Sequence, residues 1–184
     1  MPSNVESIKV DRRGKVDITS TTASAISNVS LVGGVFKMDI DLTNNSSSTY
    51  VPLVEFNVVR VTSTSGTVQV INSENGGNGT SAATAALFSY STLLGADQVF
   101  APAEKTGKRT LQFRDNASEM FSFDAVVTAY QNGSGGAAAG GGDAAGAPES
   151  GSSGSSNTLG LPTIPKVMRF TVNPLTKAVT AKLL

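Results

Sequence analysis

An antiparallel β-sandwich is the fold this sequence predicts, and three observations predict it. Short segments alternate apolar and polar residues with period two, Gly, Asn, Asp and Pro punctuate the gaps between them, and helical periodicity is absent throughout. About seven such strands within 184 residues suit one compact domain with its core between two sheets. A closed barrel is the rival architecture. Unequal strand lengths and long loops at one end favour the sandwich.

Taken in order, SIKVDRRGKVDIT reads as a hairpin, with Ile8 and Val10 leading in, Val16 and Ile18 leading out, and Gly14 at the left-handed turn position. ASAISNVSLV reads as a strand. In VFKMDIDL, Phe36, Met38, Ile40 and Leu42 form one face, and Val35, Lys37, Asp39 and Asp41 the other, so the two aspartates are read as a solvated face. TNNSSSTYVP reads as a polar loop ending at Pro52, before a strand, LVEFNVVRV, that buries Val54, Phe56 and Val58.

TVQVIN is a shorter strand. ENGGNGTSAATAALFSYSTLL is predicted as a long loop with one helical turn around Ala82 to Ala86. Leu111 and Phe113 then point inward, as do Phe121, Phe123, Ala125, Val127 and Ala129 in the following strand. The predicted core is Phe36, Ile40, Phe56, Val58, Leu111, Phe113, Phe121 and Phe123.

The remaining chain divides by composition. Gln131 to Gly160 holds ten of the 19 glycines, which reads as a disordered Gly/Ser/Ala linker. The expected organisation is therefore a sandwich over 1–130, a linker over 131–160 and a C-terminal β-hairpin over 161–184. In that hairpin Met168, Phe170 and Val172 alternate before an Asn173-Pro174 turn, and Val179, Ala181 and Leu183 alternate after it. Too short to be stable alone, it is expected to complete a sheet edge, either the N-terminal hairpin or the strand ending at Tyr130. Docking in cis is the default expectation, with exchange onto a neighbouring subunit as the minority reading.

Several segments of the block from Asp41 to Tyr130 resemble an immunoglobulin-like module of bacterial secreted and surface proteins. Leu42 to Asn44, Tyr50 to Leu53, Pro102 to Glu104 and Phe121 to Phe123 stand where that module has L-x-N, Tyr-x-x-Pro-Leu (here one residue shorter), a Pro-Gly-Glu turn and Phe-x-Phe. Ala103 replaces the glycine of that turn. The resemblance covers roughly half the chain, its motifs are structural, and it implies an extracytoplasmic module of adhesion, display or accessory type, and no reaction.

Chemistry-bearing residues are few. Fourteen basic and 14 acidic side chains cancel, which disfavours nucleic acid and anionic membrane as partners. The absence of cysteine and histidine removes thiolate chemistry, imidazole bases and the usual zinc, copper and haem ligands. No apolar run approaches the ~20 residues of a membrane span, so no membrane insertion is expected. MPSNVESIKV has no signal-peptide core, so an extracellular home presupposes a leader already removed.

The serines lack a Ser-x-x-Lys arrangement. Calcium is the one cofactor these residues allow, with Asn72, Glu74, Asn75 and Asn78, joined by Asp97, Asp115 or Asp124, as candidates whose spacing fits no EF-hand and whose Gly/Asn run equally suits a tight loop. Phe88 and Tyr90 are the candidate exposed aromatics for a glycan, although both read better as core or loop anchors. The expectation is a non-enzymatic extracellular structural or adhesive protein, self-associating or binding other surface proteins through strand edges and loops. A carbohydrate-binding accessory module is the alternative.

Overall fold

The computed structural model describes residues 14–131 and 166–184. Ten strands form two antiparallel sheets: β1 (Gly14–Asp17), β2 (Thr22–Val32), β3 (Val35–Asn44), β4 (Tyr50–Ser63), β5 (Gln69–Val70), β6 (Ala86–Ser89), β7 (Arg109–Arg114), β8 (Phe121–Gln131), β9 (Met168–Asn173) and β10 (Ala178–Leu183). The larger sheet runs β10-β9-β8-β4-β6, with β1 also on β8; the smaller runs β2-β3-β7-β5. The all-β class predicted from period-two alternation is the class observed.

The sheets face each other across one core. Every residue of the predicted core is buried there, joined by Met38, Leu42, Val54, Phe88, Phe100 and Phe170. An aromatic chain crosses between the sheets. Phe36 of β3 meets Phe121 of β8 edge-on at 5.7 Å between ring centroids, and Phe113 of β7 lies 5.0 Å from Phe123 of β8. Such pairs add to the stabilisation from area burial alone.

Two short strands share one side of β8. The first, β1, pairs with its C-terminal end, from Gly14 opposite Gln131 to Asp17 opposite Thr128. The second, β9, pairs with its N-terminal half, from Phe121 opposite Val172 to Ala125 opposite Met168. Between them, Thr19 serves the β8 backbone, its hydroxyl accepting the Val127 N–H at 2.8 Å while the Ile18 N–H donates to the Val127 carbonyl at 2.9 Å. The chain then passes into β2 of the other sheet, so this crossover joins the two layers.

Lys166–Leu184 belong to the same compact unit as the described residues before the linker. The terminal hairpin pairs through β9 with β8, the strand ending near Tyr130. The linker itself, and Ile8 and Val10 of the expected N-terminal hairpin, lie outside the described residues.

Four local expectations need correction. Gly14 opens β1 without a positive φ, so it is a strand residue paired with Gln131 and not the expected left-handed turn position. The strand expected to start after Pro52 starts at Tyr50, because a register shift between Val51 and Glu55 leaves the imide nitrogen of Pro52 outside the regular ladder. ALFS, read as loop, is β6, paired with β4 from Val58 opposite Ala86 to Glu55 opposite Ser89. Asp41, expected to be solvated beside Asp39, is only 2% exposed, with Lys105 Nζ 3.1 Å from its Oδ1.

Candidate functional site: the open edge of the larger sheet

Sheet edges carry unpaired N–H and C=O groups, and folded proteins ordinarily bend or cover them. Most edges in this fold are treated in that way. Beyond β6, the Leu87 carbonyl accepts the Glu74 N–H at 2.9 Å, the Leu87 N–H donates to Asn75 Oδ1 at 3.0 Å, and the Ser89 N–H donates to Glu74 Oε1 at 3.1 Å. Beyond the two-residue β5, the Val70 N–H is taken by the Asn78 carbonyl at 2.9 Å. The edge strand β2 is bent by a bulge between Ser27 and Ser30, where Asn28 adopts φ 53°. Four-residue β1 is short and leads into residues outside the description.

By contrast, β10 is open among the described residues. It pairs with β9 from Ala178 opposite Asn173 to Leu183 opposite Met168, and no described strand lies on its other side. The Leu184 N–H donates to the Val167 carbonyl at 2.9 Å, which sets the phase of the ladder. The even-numbered residues of β10 face β9, so the backbone groups of Val179, Ala181 and Leu183 face away.

The side chains reinforce this exposure. Opposite partners share a face, so Val179, Ala181 and Leu183 continue the apolar row of Val172, Phe170 and Met168. The β9 residues of that row are buried, whereas on β10 Val179 is half-buried and Ala181 and Leu183 are exposed. AVTAKL contains no proline, no glycine and a single charge, Lys182.

On the outer face of the same sheet, hydroxyls align across strands. Thr62 opposes Ser122, Ser122 opposes Thr171, and Thr171 opposes Thr180. Part of this row borders an open groove of about 400 Å³ lined also by Met120 and Arg169. The Arg169 guanidinium is forked onto Asp124 at 2.7 and 2.9 Å, so its charge is already paired.

The residues expected to bind ligands lie elsewhere. Phe88 and Tyr90, proposed as exposed aromatics, are core residues, 1% and 0% exposed. Alternation along β6 turns Phe88 inward opposite Phe56. The Tyr90 hydroxyl donates to the Ile40 carbonyl at 2.9 Å, and burial above all, with Asp41 and Asp39 nearby, pushes its pKa up. Neither ring offers a face to a sugar.

The candidate calcium ligands are engaged in shaping loops. Asn75 Oδ1 accepts the N–H groups of Gly77 and Leu87, and Asn78 Oδ1 accepts the N–H and the hydroxyl of Thr80. Asn72 bridges to β7 through the Gln112 N–H at 2.8 Å, and Glu74 pairs with Arg109. Asp97 accepts the Val99 N–H at 3.4 Å, and Asp115 Oδ1 that of Glu119 at 3.1 Å. Among the described residues, no group of three or more acidic side chains converges as a metal site.

Comparisons with protein-family models, curated proteins and solved structures return no match. The functional reading therefore rests on the site itself. The signal for it was present in the sequence, in the alternation of AVTAKL after a turn, but whether that strand is central or at an edge depends on the sheet order.

Proposed function

We propose that this chain is a non-enzymatic structural or adhesive module of an extracellular surface, which joins neighbouring proteins by strand addition at β10. One observation carries the reading: among the described residues, β10 is a six-residue edge with outward-facing backbone groups and an apolar row exposed at Ala181 and Leu183, in a fold whose β6, β5 and β2 edges are capped or bent. Strand addition supplies affinity through main-chain hydrogen bonds and specificity through alternate side chains. The immunoglobulin-like resemblance belongs to the same proposal, supported by the antiparallel two-sheet architecture and the crossover at Ile18 to Thr21. Such modules are at home outside the cell, and a chain without cysteine is indifferent to the redox state there.

The glycan-binding alternative loses its aromatic platform with the burial of Phe88 and Tyr90. The deciding experiment is light scattering across a concentration series together with negative-stain microscopy. Oligomers or filaments that grow with concentration are expected. A monodisperse monomer throughout, with no particles beyond single domains, would sink the assembly reading.

A further inference from the structure

We infer that β10 pairs antiparallel with β10 of a second copy, about a twofold axis at Ala181; this rests on the assembly reading above and names its partner. Self-complementarity is what an isologous interface requires, since each patch must match itself. The outward backbone groups of β10 belong to Val179, Ala181 and Leu183, a set symmetric about its middle member. Antiparallel pairing about Ala181 places Val179 opposite Leu183 of the second copy, Ala181 opposite itself, and Leu183 opposite Val179. All the outward N–H and C=O groups of those residues then find partners.

The neighbouring registers are poorer. A shift that centres the pairing on Lys182 sets two ammonium groups directly opposite each other, and like charges so placed are destabilising. A shift that centres it on Thr180 leaves Leu183 opposite the turn residue Lys177, whose φ of 56° takes it out of the extended ladder. With the axis at Ala181, Lys182 faces Thr180 of the second copy and the lysines lie apart. The half-buried Val179 and the 42% exposed Leu183 then cover each other on the core side of the sheet. A continuous sheet through two copies removes the open edge from both.

The chain has no cysteine, so an introduced thiol reports alone. At a hydrogen-bonded antiparallel pair the Cα atoms are about 5.5 Å apart, within disulfide reach. Ala181→Cys is therefore expected to give a disulfide-linked dimer under mild oxidation. Leu183→Cys alone is not, because four residues of offset separate the two thiol-bearing positions by about 13 Å. Leu183→Cys mixed with Val179→Cys is expected to cross-link. Cross-linking of Leu183→Cys alone as fast as Ala181→Cys would overturn the register, and a persistently monomeric Ala181→Cys would overturn the pairing.

Ala181→Pro, in the full chain, separates this inference from the reading it rests on. Its missing N–H is one that faces away from β9, so the hairpin's own ladder keeps every bond. The variant should keep the wild-type circular dichroism spectrum and weaken dimerisation by more than about tenfold. If it assembles as the wild type does, β10 pairing falls while assembly through another surface stands. If the wild type itself stays monomeric at all concentrations, both fall.

Discussion

Phe170 of the terminal hairpin stacks on Phe123 of β8, their ring centroids 4.5 Å apart and their planes 4° from parallel. The two residues are also direct cross-strand partners. Phe170 further meets Phe56 edge-on at 5.9 Å, so one ring from the chain's last strands bridges β8 and β4 in the core. The hairpin is part of the core, and its removal would open an aromatic cluster to water.

Phe170→Ala is accordingly expected to destabilise the fold by about 3 to 5 kcal/mol, the usual cost of emptying a buried phenylalanine site. A urea titration followed by tyrosine fluorescence or circular dichroism measures it. A loss below about 1 kcal/mol would show that the domain closes without its terminal hairpin. Deleting residues 165–184 should have the larger effect, since it also bares the ladder side of β8.

Ala103 offers the opposite test, a change expected to stabilise. Pro102 and Ala103 are the central residues of a turn closed by the Glu104 N–H donating to the Ala101 carbonyl at 3.0 Å, and Ala103 holds φ 63°. A positive φ at that position, after proline, is the signature of a type II turn, which glycine fits without strain. Holding an L-residue there costs about 1 to 2 kcal/mol, against ~0.5 to 1 kcal/mol of extra unfolded-state entropy for glycine. Ala103→Gly should therefore raise stability by several tenths to about 1 kcal/mol, visible as a rise of a few degrees in melting temperature. A lower melting temperature would contradict the turn geometry.

Tyr90 tests whether its hydroxyl is structural. Burial holds it protonated, so it donates to the Ile40 carbonyl as one of the few polar groups at the core boundary. Tyr90→Phe keeps the ring and removes the bond, and should cost about 1 to 2 kcal/mol. A neutral result in a denaturant titration would mean that water replaces the hydroxyl.

The strands were legible where one face is buried and the other wet. VFKMDIDL and FSFDAVVTAY alternate because each packs one face on the core, and their inward residues are all buried. Legibility failed where tertiary context overrides pattern. ALFS carries only four residues and follows a Gly/Asn loop, so nothing local distinguishes it from that loop; it becomes a strand because Val58 to Glu55 lie alongside. Phe88 and Tyr90 stood open to two readings for the same reason, since an aromatic in a supposed loop can face solvent or anchor the core, and the structure buries both. Asp41 looked solvated by alternation, and the Lys105 segment that covers it comes from 64 residues later in the chain. The open edge was half legible: AVTAKL alternates, but only the sheet order makes it an outermost strand.

The companion of Asp41 on the same face, Asp39, gives the fold a pH-dependent contact. Its carboxylate accepts the Thr110 hydroxyl at 2.6 Å and the Asn28 amide at 2.6 Å. The Thr110 bond is the largest influence lowering its pKa below the ordinary 3.8; burial opposes the shift, while Asn28 and the charge of Lys108 add to it. A pKa lowered in the folded state contributes stability that is present above the unfolded value and is lost as pH falls through the folded one. Thr110→Val removes the principal cause at an exposed position while keeping a β-branched strand residue. Near neutral pH the variant should be less stable than the wild type. Below 3.8 the difference should shrink as Asp39 becomes protonated in both proteins. Glu119, held low chiefly by the Ser65 hydroxyl, titrates alike in the two proteins and cancels in the comparison. Urea titrations of the pair from neutral pH down to about 2 decide the matter, because a stability difference constant across that range would place the effect of Thr110 in packing and not in its bond to the carboxylate.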